Sequence, residues 1–461
     1  MLALTLTTLM FSACSRKNGG AVRTERETSA TSTARAATEN AYAPDACEMV
    51  LVPQAGEGRI DEQIKHLQTN VRKGKNAFQS LENLGWMYVA KARESFDPGY
   101  YKLAEQCAFC LDTRQPHSAE ALLLRGHVLQ NLHKFKEAEP LARELVARRD
   151  SSFDEGLLGD VLMEQGRLAE AAEAYQKMVN QKPDLQAYAR IAHLRWLKGD
   201  LAGATEIMGL AASAASPNAP ESAAWAHTRL ASLQFQQGNL EEAFQTCDLA
   251  LHFQTNYAPA LLLEGRLLLA EGKISTAIER LIRAVKLNPL PEYQWVLSEA
   301  LRSADRNADA AAVEAKLRQQ GAVADPRTFA LYLASRGELN ETSLELARNE
   351  FKERSDVFTH DALAWSLAAN GQLGEAWEEM GRALSEGTKD ARLFFHATVI
   401  AAKAGHSKEA RSWFDKTTPM KPLLLASEQR QLQSTALELG LAGLGQTESK
   451  LETTTLFTPA N

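Results

Sequence analysis

Apolar residues recur along most of the chain with the spacing of an amphipathic helix, and short polar turns containing glycine separate the helical stretches. In residues 159–183, GDVLMEQGRLAEAAEAYQKMVNQKP, one apolar stripe ends before Gly166 and a second runs to Pro183. Glycine adopts the left-handed conformation that ends many helices, and proline lacks the N–H that a continuing helix needs. The pattern therefore predicts two antiparallel helices joined by a tight turn.

The same pattern recurs about every 34 residues. A small residue usually stands about seven positions before the glycine, and alanine usually stands five positions after it, as Gly159 and Ala171 do around Gly166. Two helices approach closely only where their side chains are small, so these residues are predicted to lie where the paired helices touch. The aligned glycines are Gly166, Gly199, Gly238, Gly272, Gly337, Gly371 and Gly405, and His133 and Arg306 fill the same position in two further copies.

This repeat resembles the tetratricopeptide repeat (TPR), a helix-turn-helix unit of 34 residues with small residues at its eighth and twentieth positions. The resemblance spans residues 78–422, about ten copies. It implies an all-α fold, a TPR superhelix or α-solenoid.

Terminal helices are predicted to cap both ends of the repeat array. Ile60, Ile64, Leu67 and Val71 have helical spacing, which predicts an N-terminal capping helix in residues 58–77. Residues 423–441 are suited to cover the last repeat as a C-terminal capping helix, and residues 442–461 form a polar tail. A solenoid needs such caps because its end repeats otherwise expose apolar surface.

The N-terminus resembles the signal peptide of a bacterial lipoprotein. Residues 1–14, MLALTLTTLMFSAC, are an apolar run too short to span a bilayer, and Phe11–Cys14 resembles the lipoprotein cleavage box. The resemblance implies lipidation of Cys14 and a location on the periplasmic side of a membrane in the bacterial cell envelope. Residues 15–57 are predicted to form a disordered tether, because residues 15–46 are rich in Ser, Thr, Ala and charge and lack an apolar period. Simple secretion and an uncleaved N-terminus in the cytoplasm remain alternatives.

The charge and the lack of catalytic motifs argue against nucleic acid binding and against enzymatic activity. The net charge is -7 with basic and acidic residues interspersed, so we expect no nucleic acid partner. No phosphate-binding loop, zinc-protease motif, nucleophile elbow or calcium loop is present, and almost no sequence remains outside the array for a catalytic domain. We therefore expect a non-enzymatic protein with no cofactor and no metal.

Cys107 and Cys110 are the only closely spaced pair among the five cysteines. A CxxC pair can be redox-active or can supply half of a zinc site, which leaves a redox or metal-dependent protein as an alternative function. The second half of a zinc site is missing, and the segment aligns with the second helix of the first repeat. Small buried core residues are therefore the favoured interpretation for this pair and for Cys247.

The resemblance to TPR proteins also implies that the first helix of each repeat lines a concave groove. Aromatic residues recur at positions expected to face inward, where they could anchor a protein or peptide, although some could instead be buried between repeats. The predicted groove residues are His127, Phe153, His193, Trp196, Trp225, Phe235, Arg266, Trp365 and Phe395. The resulting hypothesis is a membrane-tethered scaffold for a protein partner, in envelope assembly or secretion; a cytoplasmic TPR adaptor or regulator is the alternative.

Overall fold

A computed structural model describes residues 45–441, and within that range the chain forms 23 α-helices, one 3-10 helix and no β-strand. The predicted signal peptide, Cys14, most of the predicted tether and the polar tail from residue 442 lie outside the described residues. The described helices confirm the all-α repeat fold.

Ten antiparallel helix pairs make up the array, in agreement with the predicted number of repeats. Helices α1 (Ala46–Met49) and α2 (Arg59–Arg72) precede the pairs, and a 3-10 helix (Thr418–Leu423) and α23 (Ala426–Glu438) follow them. The pairs, numbered here as repeats 1 to 10, are α3 (Ala77–Ser95) with α4 (Gly99–Arg114), α5 (Ala119–Asn131) with α6 (Phe135–Arg148), α7 (Ser152–Glu164) with α8 (Leu168–Gln181), α9 (Leu185–Leu197) with α10 (Leu201–Ser213), α11 (Pro220–Gln236) with α12 (Leu240–Phe253), α13 (Ala258–Ala270) with α14 (Ile274–Leu287), α15 (Pro291–Ser303) with α16 (Asn307–Ala324), α17 (Pro326–Arg336) with α18 (Asn340–Glu353), α19 (Val357–Ala369) with α20 (Leu373–Leu384), and α21 (Ala391–Lys403) with α22 (Ser407–Thr417).

The described chain divides into two compact units, residues 45–150 and residues 151–441. The first unit holds α1, α2 and repeats 1 and 2. The second unit holds repeats 3 to 10 and the two C-terminal elements. Helix α2 lies within residues 58–77, where the sequence predicts the N-terminal cap.

The first unit includes a segment that the sequence assigned to the disordered tether. Residues 45–57 contain α1, and a disulfide joins Cys47 to Cys110 in α4. Tyr88 Oη donates a hydrogen bond of 2.7 Å to the Val50 carbonyl, and Gln68 Nε2 donates to the same oxygen at 3.1 Å. The tether boundary at residue 57 is therefore corrected, because residues 45–57 are part of the folded unit.

Small residues bring the two helices of repeat 3 together, as the sequence predicts. Gly159 in α7 faces Tyr175 in α8, and a Cβ atom on Gly159 would lie 2.3 Å from the tyrosine ring. Tyr175 Oη donates a hydrogen bond of 2.8 Å to the Asp160 carboxylate, which fixes the ring in this place. Ala171 is fully buried in the same repeat.

Gly159→Ala is therefore expected to lower the free energy of unfolding by about 1 to 3 kcal/mol, because the added methyl overpacks the contact with Tyr175. Gly209→Ala is the matched control, since Gly209 also lies inside a helix but has no atom near its Cβ position. It should raise stability by about 0.5 to 1 kcal/mol through helix propensity. Equal changes for both variants in denaturant unfolding would contradict the contact.

Candidate functional site

The inner face of repeats 3 to 10, where the sequence predicts an open groove, is covered in part by the chain's own later repeats. The turn between α18 and α19 lies against the end of α7. Ser355 N donates to the Glu164 carbonyl at 3.2 Å, and Ser355 Oγ donates to the Gln165 carbonyl at 2.9 Å. Arg354 lies 3.8 Å from the Glu164 carboxylate. Burial, together with the negative charge of Asp356, raises the pKa of Glu164 to about 7.

The next turn that connects two repeats, between α20 and α21, lies against the end of α9. Trp196 Nε1 donates a hydrogen bond of 2.8 Å to the Lys389 carbonyl, and Thr388 Oγ1 donates to the Leu197 carbonyl. Lys198 forms an ion pair of 2.7 Å with Glu386. These contacts join residues that are about 190 positions apart in sequence.

Two further contacts continue the series along α11 and α13. Gln236 Nε2 donates to the Asp390 carboxylate at 2.7 Å, and Arg266 donates to the Leu423 carbonyl at 3.1 Å. Repeats 3 to 6 thus contact three successive segments of the C-terminal half: the turn after repeat 8, the turn after repeat 9 and the 3-10 helix after repeat 10. We call this set of contacts the closure.

Two turn glycines allow the closure to form. Gly166 and Gly199 have φ values of +74° and +80°, as the sequence predicts for helix-ending glycines. A Cβ atom at Gly166 would lie 2.4 Å from the Ser355 carbonyl oxygen, and one at Gly199 would lie 2.5 Å from the Gly387 carbonyl oxygen. These two glycines therefore satisfy two requirements, a left-handed backbone and a close approach by another turn.

A pair of alanine variants separates the two requirements. Gly272 has a φ of +75° and no atom within 4 Å of its Cβ position, so Gly272→Ala should cost only the left-handed strain, about 1 to 2 kcal/mol. Gly166→Ala has the same strain and also displaces the Ser355 carbonyl, so it should cost about 1 to 3 kcal/mol more. Denaturant unfolding measures both, and equal costs would show that the Gly166 contact is energetically unimportant.

The closure leaves a cavity of about 190 Å³ inside the second unit. Its apolar lining includes Phe235, Leu262, Leu263, Leu331 and Phe358. Its charged lining comprises four arginines and five carboxylates, which are Arg229, Arg266, Arg327, Arg392, Glu292, Asp325, Asp361, Asp390 and Glu428.

Most charged groups that line the cavity have a partner of their own. Three of the arginines form ion pairs with carboxylates: Arg327 with Asp356 at 3.2 Å, Arg392 with Glu428 at 2.7 Å, and Arg266 with Glu292 at 3.6 Å. The remaining carboxylates accept hydrogen bonds: Asp325 from Thr328, Asp361 from His396, and Asp390 from Gln236.

Arg229 is the exception among these groups within residues 45–441. Its side chain lines the cavity from α11, is 4% exposed and forms no hydrogen bond or ion pair with the described residues. Burial lowers the pKa of its guanidinium to about 10. Burial lowers the pKa of the His193 imidazole well below its ordinary value, and the nearby charge of Arg229 lowers it further.

Sequence reasoning missed Arg229, because helix periodicity assigned the inner face of α11 to Trp225 and Phe235. The available signal was a charge among small and apolar residues, since Arg229 stands in the stretch AAWAHTRLASL. A buried arginine in such a stretch requires a partner from elsewhere in the fold or from a ligand.

The structure places the predicted groove residues in different environments. His193, Trp196, Phe235, Trp365 and Phe395 are buried by the chain itself, so their prediction as exposed groove anchors is corrected. Trp365 stacks on His396 with ring centroids 4.0 Å apart, and Trp196 packs against Phe358 at 5.4 Å. The physical reason is that neighbouring repeats and the closure cover the inner face.

The remaining predicted groove residues keep some exposure. Trp225 is half-buried against Leu185 and Ala212, Arg266 lines the cavity, and Phe153 at the start of α7 is 53% exposed. In the first unit, His127 on α5 is half-buried and packs against Trp86 on α3 with ring centroids 5.3 Å apart.

Trp86 belongs to the same class of position as His127. Gly85 and Gly126 are the small residues of repeats 1 and 2, and each is followed directly by the inward aromatic side chain. The repeat alignment could therefore have predicted Trp86. Together, Trp86 and His127 form a half-buried aromatic surface on the first helices of repeats 1 and 2, which we call the Trp86 surface.

The cysteine pair does not form the site that the redox or metal alternative requires. Cys110 is bonded to Cys47, while Cys107 is a buried thiol whose pKa is raised by burial. Cys247 is also buried, as expected of a core residue. Within residues 45–441, no three His, Cys, Asp or Glu side chains lie close enough together to hold a metal ion. In the same range, no helix is both long enough and apolar enough to cross a membrane.

Comparison with known proteins identifies the repeats. The tetratricopeptide repeat profile matches residues 123–185, 157–220 and 262–325, so these stretches are TPR repeats. No curated protein matches the chain.

Several solved structures are similar at low identity. The APC/C hetero-tetramer Cut9-Hcn1 shares 11% identity over 85% of this chain, with a TM-score of 0.43, and this chain covers 62% of that one. Human IFIT1, solved as a dimer with PPP-AAAA, shares 14% over 81% of this chain and 93% of its own, with a TM-score of 0.44. Pseudomonas aeruginosa pilF shares 20% over 49% of this chain and 98% of its own, with a TM-score of 0.36.

Proposed function

We propose that this protein is a non-enzymatic TPR scaffold of the bacterial cell envelope, which binds a protein or peptide partner. In this proposal a lipid on Cys14 holds it to a membrane on the periplasmic side, and the tether that follows separates the repeats from the lipid surface. The TPR repeats support the protein-interaction role, because stacked helix pairs present extended surfaces to partners.

The Cys47–Cys110 disulfide is the observation that carries the envelope location. Disulfides form and persist in oxidising compartments such as the periplasm and are rare in the cytosol. Cys47 and Cys110 enclose a long stretch of the first unit, so the bond contributes to folding and is not an exposed regulatory thiol pair. The same bond argues against the alternative of a cytoplasmic adaptor, because the cytosol keeps most thiols reduced.

The exposure of the Trp86 surface favours partner binding in the first unit. The closure covers the inner face of repeats 3 to 6, which leaves few of the predicted aromatic anchors exposed there. Trp86 and His127 are half-buried on the inner helices of repeats 1 and 2, and such partly exposed aromatic side chains often dominate interface energies. The proposal therefore assigns partner binding to the first unit.

Fractionation of host cells tests the anchor. The wild-type protein should fractionate with membranes and incorporate labelled fatty acid, and Cys14→Ala should lose both properties. Intact mass should show the loss of residues 1–13 and the addition of acyl chains. A wild-type protein that retains Met1, carries no acyl chain and has reduced Cys47 in cells would overturn the envelope proposal.

A pair of tryptophan variants tests the Trp86 surface. The partner would be captured by crosslinking in the native host, identified, and then measured for binding to purified protein. Trp86→Ala should weaken that binding by about 2 kcal/mol or more, roughly 30-fold, if Trp86 is an anchor. Trp377→Ala is the matched control, because Trp377 is also half-buried and stacks on a histidine, His406, at 4.8 Å, but lies on the second helix of repeat 9. Equal affinities for both variants would remove the Trp86 surface from the proposal.

A further inference from the structure

Arg229 presents a buried positive charge to the cavity of the second unit and has no hydrogen-bond or ion-pair partner within residues 45–441. Its side chain is 4% exposed, whereas the other charged groups that line the same cavity are engaged in ion pairs or hydrogen bonds. Taking a guanidinium out of water is unfavourable unless an anion or several acceptors replace the water. Residues 45–441 supply neither to Arg229.

We propose that the cavity beside Arg229 binds a small organic acid, with the ligand carboxylate paired to the Arg229 guanidinium. The guanidinium offers two parallel N–H donors that match the two oxygens of a carboxylate. The ligand thereby supplies the counter-charge that the described residues do not place beside Arg229. This site is independent of the Trp86 surface and of the lipid anchor.

The surroundings of Arg229 select the class of acid. The lining holds five carboxylates against four arginines, so it disfavours a multiply charged anion such as phosphate, and Arg229 alone can pair with the one negative charge of a monocarboxylate. The apolar lining, which includes Leu262, Leu263 and Phe358, suits a short hydrocarbon portion. A volume of about 190 Å³ is below the range of drug-sized pockets, so the acid must be small. These features favour a monocarboxylate with a compact apolar group.

The lowered pKa of Arg229, about 10, agrees with this assignment, since burial lowers it and only the nearby Tyr257 opposes that shift. An arginine kept for stability would instead be expected to form an ion pair, as Arg327 and Arg392 do at the same cavity. Replacing Arg229 with an apolar side chain of similar length should therefore leave the unliganded protein at least as stable, while removing the site.

Calorimetry on the purified full chain tests the proposal. The probes are isovalerate and phenylacetate, with isovaleramide and phenylacetamide as neutral analogues of the same shape. The acids should bind and the amides should not. Arg229→Met should weaken acid binding by about tenfold to hundredfold, the effect of losing one charge-assisted hydrogen-bonded pair, without lowering the melting temperature. Arg348→Met is the matched control, because Arg348 is an exposed arginine within α18, and it should bind the acids as the wild type does.

Any one of the following results would overturn the proposal. The first is that neither acid binds the wild type at millimolar concentration. The second is that acid and amide bind equally, or that Arg229→Met retains full affinity for the acids. The third is that a peptide with a free C-terminus binds through Arg229 while both free acids fail to bind. The ligand would then be the C-terminus of a polypeptide and not a small organic acid.

Discussion

Removing the Cys47–Cys110 disulfide is expected to lower the free energy of unfolding of the first unit by about 4 kcal/mol. The bond joins cysteines 63 residues apart, so it removes much of the conformational freedom that this stretch has when unfolded. Cys47→Ala should therefore accelerate hydrogen exchange in peptides from residues 45–150 by up to roughly 1,000-fold where exchange requires opening of this unit. Mass spectrometry of the exchanged peptides gives the measurement.

Reductant provides the control for this prediction. Dithiothreitol should accelerate exchange in the wild type to the level of Cys47→Ala and should have no further effect on that variant. Peptides from the second unit should be unchanged, because Cys247, the cysteine in residues 151–441, is a free thiol. A wild type that is insensitive to reductant throughout residues 45–150 would show that the disulfide does not stabilise this unit.

Trp196→Ala is expected to lower the free energy of unfolding of the second unit by about 3 to 5 kcal/mol. The indole is 6% exposed, packs against Phe358, and donates its N–H to the Lys389 carbonyl in the closure. Truncation leaves a cavity and an unsatisfied carbonyl at the point where repeats 4 and 9 meet. Denaturant unfolding followed by circular dichroism measures the loss.

Two further variants separate the stability contributed by the Trp196 ring from that of its N–H donor and from that of an indole outside the closure. Trp196→Phe keeps an aromatic ring but removes the donor to the Lys389 carbonyl. This variant should therefore still lower the free energy of unfolding by about 1 to 3 kcal/mol. Trp377→Ala removes a half-buried indole outside the closure and should cost less than Trp196→Ala. A fully stable Trp196→Ala that no longer binds the protein partner would instead restore Trp196 as a groove anchor.

The repeats could be predicted from the sequence because their determinants are local. Gly159 and Ala171 face the partner helix of their own repeat, and Gly166 ends a helix within the same 34 residues. Each requirement acts within one or two turns of helix, so each leaves a periodic trace in the sequence. Fold class and repeat number follow from that trace.

The closure could not be predicted in the same way, because it depends on the sum of small rotations between successive repeats. Ser355 reaches Gln165 across 190 residues, and neither residue belongs to the repeat pattern. The predicted groove failed for the same reason: helix periodicity correctly turned Trp196 and Phe235 inward but carried no information about what lies opposite them. Periodicity gives the direction of a side chain within its own repeat only.

The disulfide was missed for a different reason. Five cysteines allow many pairings, and sequence spacing favours Cys107 with Cys110 over a pair that includes the distant Cys47. Cys47 stands near the end of a polar stretch rich in Ser, Thr and Ala, whose composition favours disorder. The hydrogen bonds of Tyr88 and Gln68 to the Val50 carbonyl show why this segment is nevertheless held in the fold.

The closure also limits how this array can evolve. An open solenoid tolerates the gain or loss of a repeat, because each repeat touches only its neighbours. Here the turn after repeat 8 must meet Gly166 in repeat 3, and the turn after repeat 9 must meet Gly199 in repeat 4. Deleting or duplicating any one unit between these pairs would rotate and shift every later turn, and both glycines would then face the wrong residues. The number of units from repeat 4 to repeat 9 is thus fixed by geometry, and gains or losses of whole repeats are expected to accumulate outside this interval.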